Sequence, residues 1–137
     1  NDSMGFYVAK NLVKKISAAG KNIAKAKVLV MGATFKENVS DIRNSKVADI
    51  VKELRSYGVK VDVVDPHADS EELKHEYGFG LNKIGSKYDG VIVAVNHKEY
   101  LPLDEKYFTR LMSKGGVLVD VKGLYRGKMK KITYWSL

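Results

Sequence analysis

The sequence predicts an α/β fold, a doubly wound, Rossmann-like parallel sheet. Apolar strand patterns alternate with amphipathic helix patterns along the chain, which is typical of a parallel sheet with helices on both faces. The segment 89–95 is an almost unbroken apolar run of the kind that is buried on both faces. Breakers follow several of the predicted elements, as at Gly20, Gly58 and Pro66.

The first helix is predicted from Met4 to Ala19, with Asp2 or Ser3 as its cap and Gly20 as its end. Its apolar residues recur along one face, and others widen that stripe, so the helix needs neighbours on two sides. The later elements are predicted as a strand at 27–31, a helix at 45–57 capped by Asn44 or Ser45, a strand at 59–66, a helix at 68–77, a short strand at 79–81, a strand at 89–95, a helix at 103–114 and a strand at 116–121.

The composition is that of one ordinary globular core. The chain has 137 residues, 45% of them apolar, with only 2 prolines and 12 glycines. The longest apolar runs, such as 91–95, are far too short to cross a bilayer, so no membrane partner is expected. The lack of cysteine excludes a disulfide scaffold, a thiolate metal site and a cysteine nucleophile within these residues, and a reducing cytoplasmic setting is expected.

The net charge of +8 does not by itself predict a nucleic-acid partner. Such an interface would place basic residues on one face, ideally with aromatic residues between them, whereas here they are spread along the chain. We therefore expect an ordinary solvated basic surface, with an anionic small-molecule site as the functional alternative, and no nucleic acid. The one basic cluster consists of Lys122, Arg126, Lys128, Lys130 and Lys131.

A polar loop, G-A-T-F-K-E-N-V-S-D-I-R-N-S, joins the first predicted strand to the second helix. Ligands of open α/β sheets bind outside the carboxyl ends of strands, so this loop is a candidate site. It is not a dinucleotide fingerprint, because only Gly32 matches G-x-G-x-x-G. The side chains of Thr34 and Phe35 would also obstruct the close backbone approach that a pyrophosphate needs.

The same loop offers side chains that can bind an anion. Lys36 and Arg43 can each contact a phosphate, and Phe35 can form an apolar wall against a base or a sugar. The alternative is that both basic residues form weak surface ion pairs with Asp41. The residues alone leave the two interpretations open.

Polar residues also follow the other predicted strands. Asp65 is placed either to bind a ribose hydroxyl or, as we favour, to accept from backbone amides in an Asp-Pro turn. D-V-K-G at 120–123 is either a further phosphate or sugar contact or an exposed strand end. His67 and His97 lie on neighbouring loops, but nothing marks the further ligands that a metal would need, so no metal is expected.

These motifs resemble the carboxyl-terminal domain of the UDP-glucose and GDP-mannose dehydrogenase family. The first loop is similar to that family's F-K-x-x-x-x-D-x-R loop. D-P-H-A after the second strand, D-V-K-G-L at the end of the last one, and the opening N-D-S-M-G-F-Y-V-A match in the same order. The resemblance therefore covers essentially the whole chain.

The resemblance implies part of an NAD-dependent UDP-sugar 6-dehydrogenase, which oxidises the sugar C6 alcohol to a carboxylate for polysaccharide precursor synthesis. Residues 1–22 would end a long connecting and dimerisation helix, and residues 23–137 would form the UDP-sugar-binding domain. The family's catalytic cysteine and its glycine-rich NAD loop lie outside the matched parts. We therefore expect this chain to be inactive alone, with NAD bound mainly by an amino-terminal domain.

The resemblance also assigns roles to residues. Phe35, Lys36 and Lys122 match positions that bind the UDP-sugar, Arg43 matches the arginine that reaches the phosphates of NAD, and no residue here is catalytic. The opening and the G-A-T-F-K variant favour the UDP-N-acetylhexosamine type. A cytoplasmic homo-oligomer joined through the first helix is expected.

Two alternatives stay open: a stand-alone flavodoxin-like binding or regulatory module, and a basic nucleic-acid binder supported only by net charge.

Overall fold

The computed structural model describes residues 4–137, so the predicted caps Asp2 and Ser3 lie outside the described residues. Two short 3-10 turns, Ile23–Lys25 and Lys98–Tyr100, accompany the regular elements. The regular elements are α1 (Met4–Ala18), β1 (Lys27–Met31), α2 (Val47–Ser56), β2 (Lys60–Val64), α3 (Ser70–Tyr77), β3 (Tyr88–Val93), α4 (Glu105–Leu111), β4 (Met112–Asp120) and β5 (Thr133–Ser136).

The strands form one sheet in the order β2-β1-β3-β4-β5, and every neighbouring pair is parallel. The predicted Rossmann-like α/β fold is therefore confirmed. The chain moves outward from β1 to β2 and then returns past β1 to β3. The direction of winding reverses between β1 and β3, and such a reversal opens a crevice at the carboxyl ends of the two strands.

Residues of alternate parity along the strands face two separate cores. Val28 and Val30 of β1 face the core that α1 and α2 cover, whereas Leu29 and Met31 face the core that α4 covers. This arrangement explains why the central strands β1 and β3 read as almost continuous apolar runs. Both faces of the sheet are buried at these strands, whereas the edge strands β2 and β5 are only partly buried.

The apolar stripe of α1 packs on this chain's own sheet and on α2. Val8, Leu12 and Ile16 are completely buried there. A side chain at Gly5 would lie 2.7 Å from Cβ of Asp49, so the glycine allows α1 and α2 to approach closely. The residues of α1 that stay exposed are flanking ones, such as Tyr7.

Two predictions about elements were wrong. The short strand predicted at 79–81 is absent; instead Asn82 covers the edge of β2, donating from its amide to the Val63 carbonyl and accepting at Oδ1 from the Val63 amide. The strand β5 was not predicted. Its sequence, T-Y-W-S, has the β-branched and aromatic residues that strands favour, but only four residues form it.

Boundaries differ by a few residues elsewhere. The helix α2 begins at Val47 rather than at Ser45, whose hydroxyl accepts from the Val47 amide. The helix α4 ends at Leu111 instead of Lys114, because β4 begins immediately after it. Within residues 4–137, no helix is both long enough and apolar enough to span a bilayer.

Candidate functional site

The loop that follows β1 begins with a close approach between two strand ends. Gly32 has a φ of 103°, and a Cβ there would lie 2.7 Å from Cβ of Val95 and 2.9 Å from its amide nitrogen. The space in front of this glycine is thus filled by the residues that follow β3. Gly32 serves the packing of β1 against β3 and leaves no room there for a pyrophosphate.

Beyond Gly32 the loop is anchored at its base and exposed at its tip. Ala33 and Thr34 are buried, whereas Phe35 keeps 55% of its surface exposed. The Phe35 amide donates to the Asp41 carbonyl at 2.7 Å, which closes the loop on itself. The adjacent Lys36 is exposed at the same tip. The fold therefore presents a ring and an ammonium group side by side.

An open cleft, with about 460 Å³ of space that includes the solvent at its mouth, lies at the carboxyl ends of β1, β3 and β4, where the winding of the sheet reverses. Its walls come from the starts of α1 and α2, the loop after β1, and the residues that follow β3 and β4. Phe35, Lys36 and Lys122, the three predicted substrate-binding residues, all line it. The structure brings together residues that are up to 87 positions apart in the sequence, counting from 35 to 122.

Lysine side chains and the start of a helix make this cleft suited to an anion. Lys46 joins Lys36 and Lys122 in its lining, and Val47, the first residue of α2, lies beside them. The amino end of a helix favours negative charge, which adds to the charge of the lysines. Sequence reasoning missed Lys46, although its place just before an amphipathic helix was a signal for it.

Arg43 lies outside the lining of the cleft. Its side chain is 82% exposed and forms a bidentate pair with Asp41, with Nε and Nη2 each donating to a different carboxylate oxygen at 3.0 and 2.9 Å. The hydrogen bonds from Arg43 hold the pKa of Asp41 at about 2. The predicted Arg43–Asp41 surface pair is therefore present, and it orients the guanidinium group at the rim of the loop.

Asp65 joins three strand ends through its buried carboxylate. Oδ1 accepts from the amides of His67 and Ala68, at 2.6 and 3.0 Å. Oδ2 accepts from the Ala33 amide at 2.6 Å and pairs with His97 Nε2 at 2.9 Å. The interpretation as an Asp-Pro turn that binds backbone amides is correct, and the carboxylate is fully used, so ribose binding by Asp65 has no support.

Asp120 has a comparable structural role at the end of β4. It is completely buried and accepts from the amides of Leu124 and Tyr125 and from the Tyr134 hydroxyl. Burial, together with this hydrogen bond, raises the pKa of Tyr134 to about 12. The 120–123 segment is thus not simply an exposed strand end: the acid holds the turn, and Lys122 projects from it into the cleft.

The potential ligand atoms of His67, His97 and Glu99 lie within 4.8 Å of one another, a proximity that the sequence did not reveal. The donor set does not fit a metal ion. His97 Nδ1 accepts from the Asn38 amide and Nε2 donates to Asp65, so neither ring nitrogen has a free lone pair for a metal. His67 Nε2 is itself 2.9 Å from Glu99 Oε1.

A larger open cleft, with about 730 Å³ of space that includes the solvent at its mouth, lies on the opposite face of the sheet. Its walls are mainly apolar, from Met31 and Val64 to Tyr107, and its ionisable acids are Asp65 and Glu99. Among the described residues that line it there is no lysine or arginine. This cleft is larger than the lysine-lined one, but its charge does not suit a phosphate, so the lysine-lined cleft is the candidate site.

Comparison with known proteins places the chain in a family. The profile of the UDP-glucose/GDP-mannose dehydrogenase family, UDP binding domain, matches residues 29–127. The chain is 43% identical to the UDP-N-acetyl-D-glucosamine 6-dehydrogenase of Pseudomonas aeruginosa and 41% identical to that of Salmonella typhi, over 90% and 89% of its length. These matches cover 30% and 29% of the two relatives, so the chain spans about 30% of their length.

Solved structures agree with this result. The UDP-N-acetyl-mannosamine dehydrogenase Cap5O of S. aureus superimposes with a TM-score of 0.75 at 27% identity, over 99% of this chain and 30% of that one. A UDP-D-MAnNAc dehydrogenase of Pyrococcus horikoshii gives a TM-score of 0.83 at 18% identity, over 99% of this chain and 31% of that one, which shows the shared fold alone. The chain belongs to the UDP-glucose/GDP-mannose dehydrogenase family and contains its UDP binding domain.

Proposed function

We propose that the chain is the nucleotide-sugar-binding domain of an NAD-dependent UDP-sugar 6-dehydrogenase of the UDP-N-acetylhexosamine type. The observation that carries this proposal is the joint placement of Phe35, Lys36 and Lys122 in one cleft at the reversal point of the sheet. The family match supports UDP as the nucleotide. The names of the relatives from Pseudomonas aeruginosa and Salmonella typhi support an N-acetylhexosamine as the sugar.

The chemistry of the cleft suits a nucleoside diphosphate. Lys36 and Lys122 neutralise the diphosphate, and each ammonium can turn its donors toward the phosphate oxygens. The start of α2, with Lys46, adds positive potential on a third side. The exposed ring of Phe35 packs against the base or the ribose, which gives the uridine an apolar contact.

The oxidation itself requires groups that this chain does not hold. It contains no cysteine, so the covalent step expected from the resemblance needs a nucleophile outside this sequence. NAD would supply the hydride acceptor, but the loop after β1 does not fit it as a dinucleotide cradle, because Val95 fills the space at Gly32. Arg43, exposed at the rim, would contribute one contact to the cofactor. We infer that the chain alone binds the nucleotide sugar without oxidising it.

The proposal includes the predicted division into a connecting helix at 1–22 and a binding domain at 23–137, and a cytoplasmic location, where nucleotide sugars and NAD meet. A second candidate is the stand-alone binding or regulatory module. One observation favours this second candidate: the strand order 2-1-3-4-5 is also the order of flavodoxin-like folds. An upstream coding region with a dinucleotide fingerprint and a cysteine would end that alternative.

Calorimetric titration with UDP tests the proposed site. In Lys36→Ala we expect about tenfold to hundredfold weaker binding, because a hydrogen bond to a charged group contributes about 1.5–3 kcal/mol. The matched control is Lys25→Ala, which removes the same charge from an exposed residue. Lys25 precedes β1, so it lies at the amino ends of the strands, away from the cleft. We expect its affinity to stay within about twofold of the wild type.

The same titration separates the possible ligands. Heat from UDP with none from NAD is the expected pattern for the unmodified chain. Unchanged affinity in Lys36→Ala would remove Lys36 from the site. An equal loss in both lysine variants would show that only the overall charge matters, which contradicts a built site.

A further inference from the structure

A buried histidine connects the proposed binding loop to the rest of the sheet. His97 follows β3 and is completely buried. Its ring bonds to the loop after β1 through Nδ1 and to the end of β2 through Nε2. Three strand ends that are adjacent in space therefore meet at one imidazole. The UDP-binding cleft does not include His97 in its lining, and nothing in the proposed function uses it.

The hydrogen bonds define where the ring carries its proton. The Asn38 backbone amide donates to Nδ1 at 2.9 Å, so Nδ1 has a lone pair and no proton. The Asp65 carboxylate can only accept, and it already accepts from the Ala33 amide through the same oxygen, so Nε2 carries the proton and donates to it at 2.9 Å. The ring in this structure is thus the neutral form protonated at Nε2.

The contact with Asn38 fixes the tip of the loop. Asn38 has a φ of 61°, a left-handed conformation that asparagine tolerates better than most residues. Its side-chain Oδ1 accepts from the Lys98 amide at 2.8 Å, so both its backbone and its side chain are tied to the segment after β3. At the other end, Thr34 is buried, lies 3.3 Å from His97 Nε2, and donates through Oγ1 to the Lys36 carbonyl.

Phe35 and Lys36 lie between these two anchors. Neither side chain is buried, so their position depends on the backbone that carries them. We propose that His97 is a positioning residue, which holds the Phe35–Lys36 segment in its nucleotide-binding geometry and releases it when Nδ1 becomes protonated. The statement about nucleotide binding rests on the proposed function, whereas the statement about the loop rests on the His97 contacts alone.

The direction of the pH effect follows from the donors around the ring. A second proton, on Nδ1, would turn this nitrogen from an acceptor into a donor. Two donors would then face each other, and the hydrogen bond from the Asn38 amide to Nδ1 would be lost. The charged and titratable neighbours of the ring are Asp65 at Nε2, His67 with a ring centroid 4.6 Å away, and Tyr100 with a ring centroid 5.6 Å away. Glu99 pairs with the His67 ring, and one of its carboxylate oxygens lies within 4.8 Å of a His97 ring nitrogen.

The hydrogen bond at Nδ1 comes from a donor, the Asn38 amide, and the acid that bonds the ring does so at Nε2. The His67 ring bonds to Glu99 and its amide to Asp65. We therefore expect the loop to be ordered while Nδ1 carries no proton and to loosen when Nδ1 takes one up at lower pH. Nucleotide affinity should fall with it.

Two substitutions separate the contacts of the ring. In His97→Asn, the side-chain oxygen can occupy the position of Nδ1 and accept from the Asn38 amide, without any group that titrates. In His97→Gln, the longer side chain can donate to Asp65 in the position of Nε2, but it leaves the Asn38 amide without an acceptor. A purely structural role in the core would make the two variants behave alike.

The experiment combines NMR with nucleotide titration. Imidazole ¹⁵N spectra of the wild type should show a proton on Nε2 and none on Nδ1 at about pH 8, and the Asn38 amide should shift and exchange faster as Nδ1 takes up its proton. The affinity for UDP-N-acetylglucosamine, whose diphosphate is esterified at both ends and does not titrate in this range, is then measured at about pH 8 and about pH 5.5. We expect wild-type affinity to fall about fivefold or more at the lower pH.

The variants decide the outcome. His97→Asn should keep the wild-type affinity at about pH 8, within about twofold, and lose most of the pH dependence; His97→Gln should bind about tenfold more weakly at both pH values. A proton on Nδ1 at about pH 8, or an equal pH dependence in wild type and His97→Asn, would overturn the proposal. If His97→Gln does not fold, the His97→Asn comparison still decides.

The NMR arm needs no nucleotide, so the two proposals fail separately. A loop that responds to the His97 proton in a chain that binds no UDP-sugar would support the positioning role and contradict the proposed function. Nucleotide binding that is insensitive to pH and to His97→Gln would support the proposed function and contradict the positioning role of His97.

Discussion

The glycine that begins the binding loop can be tested by adding one methyl group. In Gly32→Ala the new Cβ would lie 2.7 Å from Cβ of Val95 and 2.9 Å from both its Cγ2 and its amide nitrogen. Because one of these atoms belongs to the backbone, a rotamer change in Val95 does not remove the overlap. The strand ends of β1 and β3 would have to separate.

The expected cost has two parts. An alanine held at the φ of 103° lowers the free energy of unfolding by about 1–2 kcal/mol relative to glycine. Forcing extra volume into a packed contact adds about 1–3 kcal/mol. The sum, about 2–5 kcal/mol, is a large fraction of the stability of a domain of this size.

The matched control is Gly127→Ala. Gly127 has a similar left-handed φ of 74°, but a Cβ there would meet no heavy atom within 4 Å. Urea denaturation of both variants should give a loss of about 1–2 kcal/mol for Gly127→Ala and about 1–3 kcal/mol more for Gly32→Ala. Equal losses would refute the argument that Gly32 exists for the approach of β1 to β3. A Gly32→Ala variant that keeps its stability but loses UDP binding would indicate direct ligand contact instead.

Two further predictions concern acid stability and self-association. Burial acts to raise the pKa of Asp89, but its hydrogen bonds to Lys21, Ser113 and the Lys27 amide outweigh this and lower it. The stabilisation by Asp89 is complete above the unfolded pKa of about 3.9 and is lost as the pH falls through the lower pKa of the folded state. Thermal denaturation of Asp89→Asn should therefore show a weaker loss of stability in acid than the wild type. An unchanged loss of stability in acid would contradict this prediction. Phe6 and Tyr7 are 38% and 53% exposed on α1, so we expect concentration-dependent self-association in sedimentation velocity, and a monomer at every concentration would exclude it.

The fold was predictable because its signals are local. Each buried strand carries its own apolar run, and breakers such as Gly58 and Gly78 lie beside the helices that they end. The strand β5 has no such run, and its pairing with β4 depends on contacts far apart in sequence. The predicted stretch at 79–81 had strand-like composition, but a single residue, Asn82, provides the hydrogen bonds that cover the edge of β2.

The candidate site was predictable in part, for a similar reason. The loop motif follows the first predicted strand and Lys122 follows the last one, so the sequence placed both at carboxyl ends of strands. The carboxyl ends of parallel strands lie on the same side of a sheet, which is where ligands bind. The link from His97 through Asp65 to the loop was not predictable, because those residues lie on three separate connections and only the strand order brings them together. Arg43 shows the limit of motif matching: the residue is present, but its observed partner is Asp41.

The most direct test of the central claim is a map of amide chemical-shift changes when UDP is added to the ¹⁵N-labelled chain. We expect the largest changes on 34–36, 46–47 and 121–122, which line the lysine-lined cleft. Changes concentrated on the apolar cleft of the opposite face, around 81–84 and 99–103, would place the nucleotide elsewhere and contradict the proposed site.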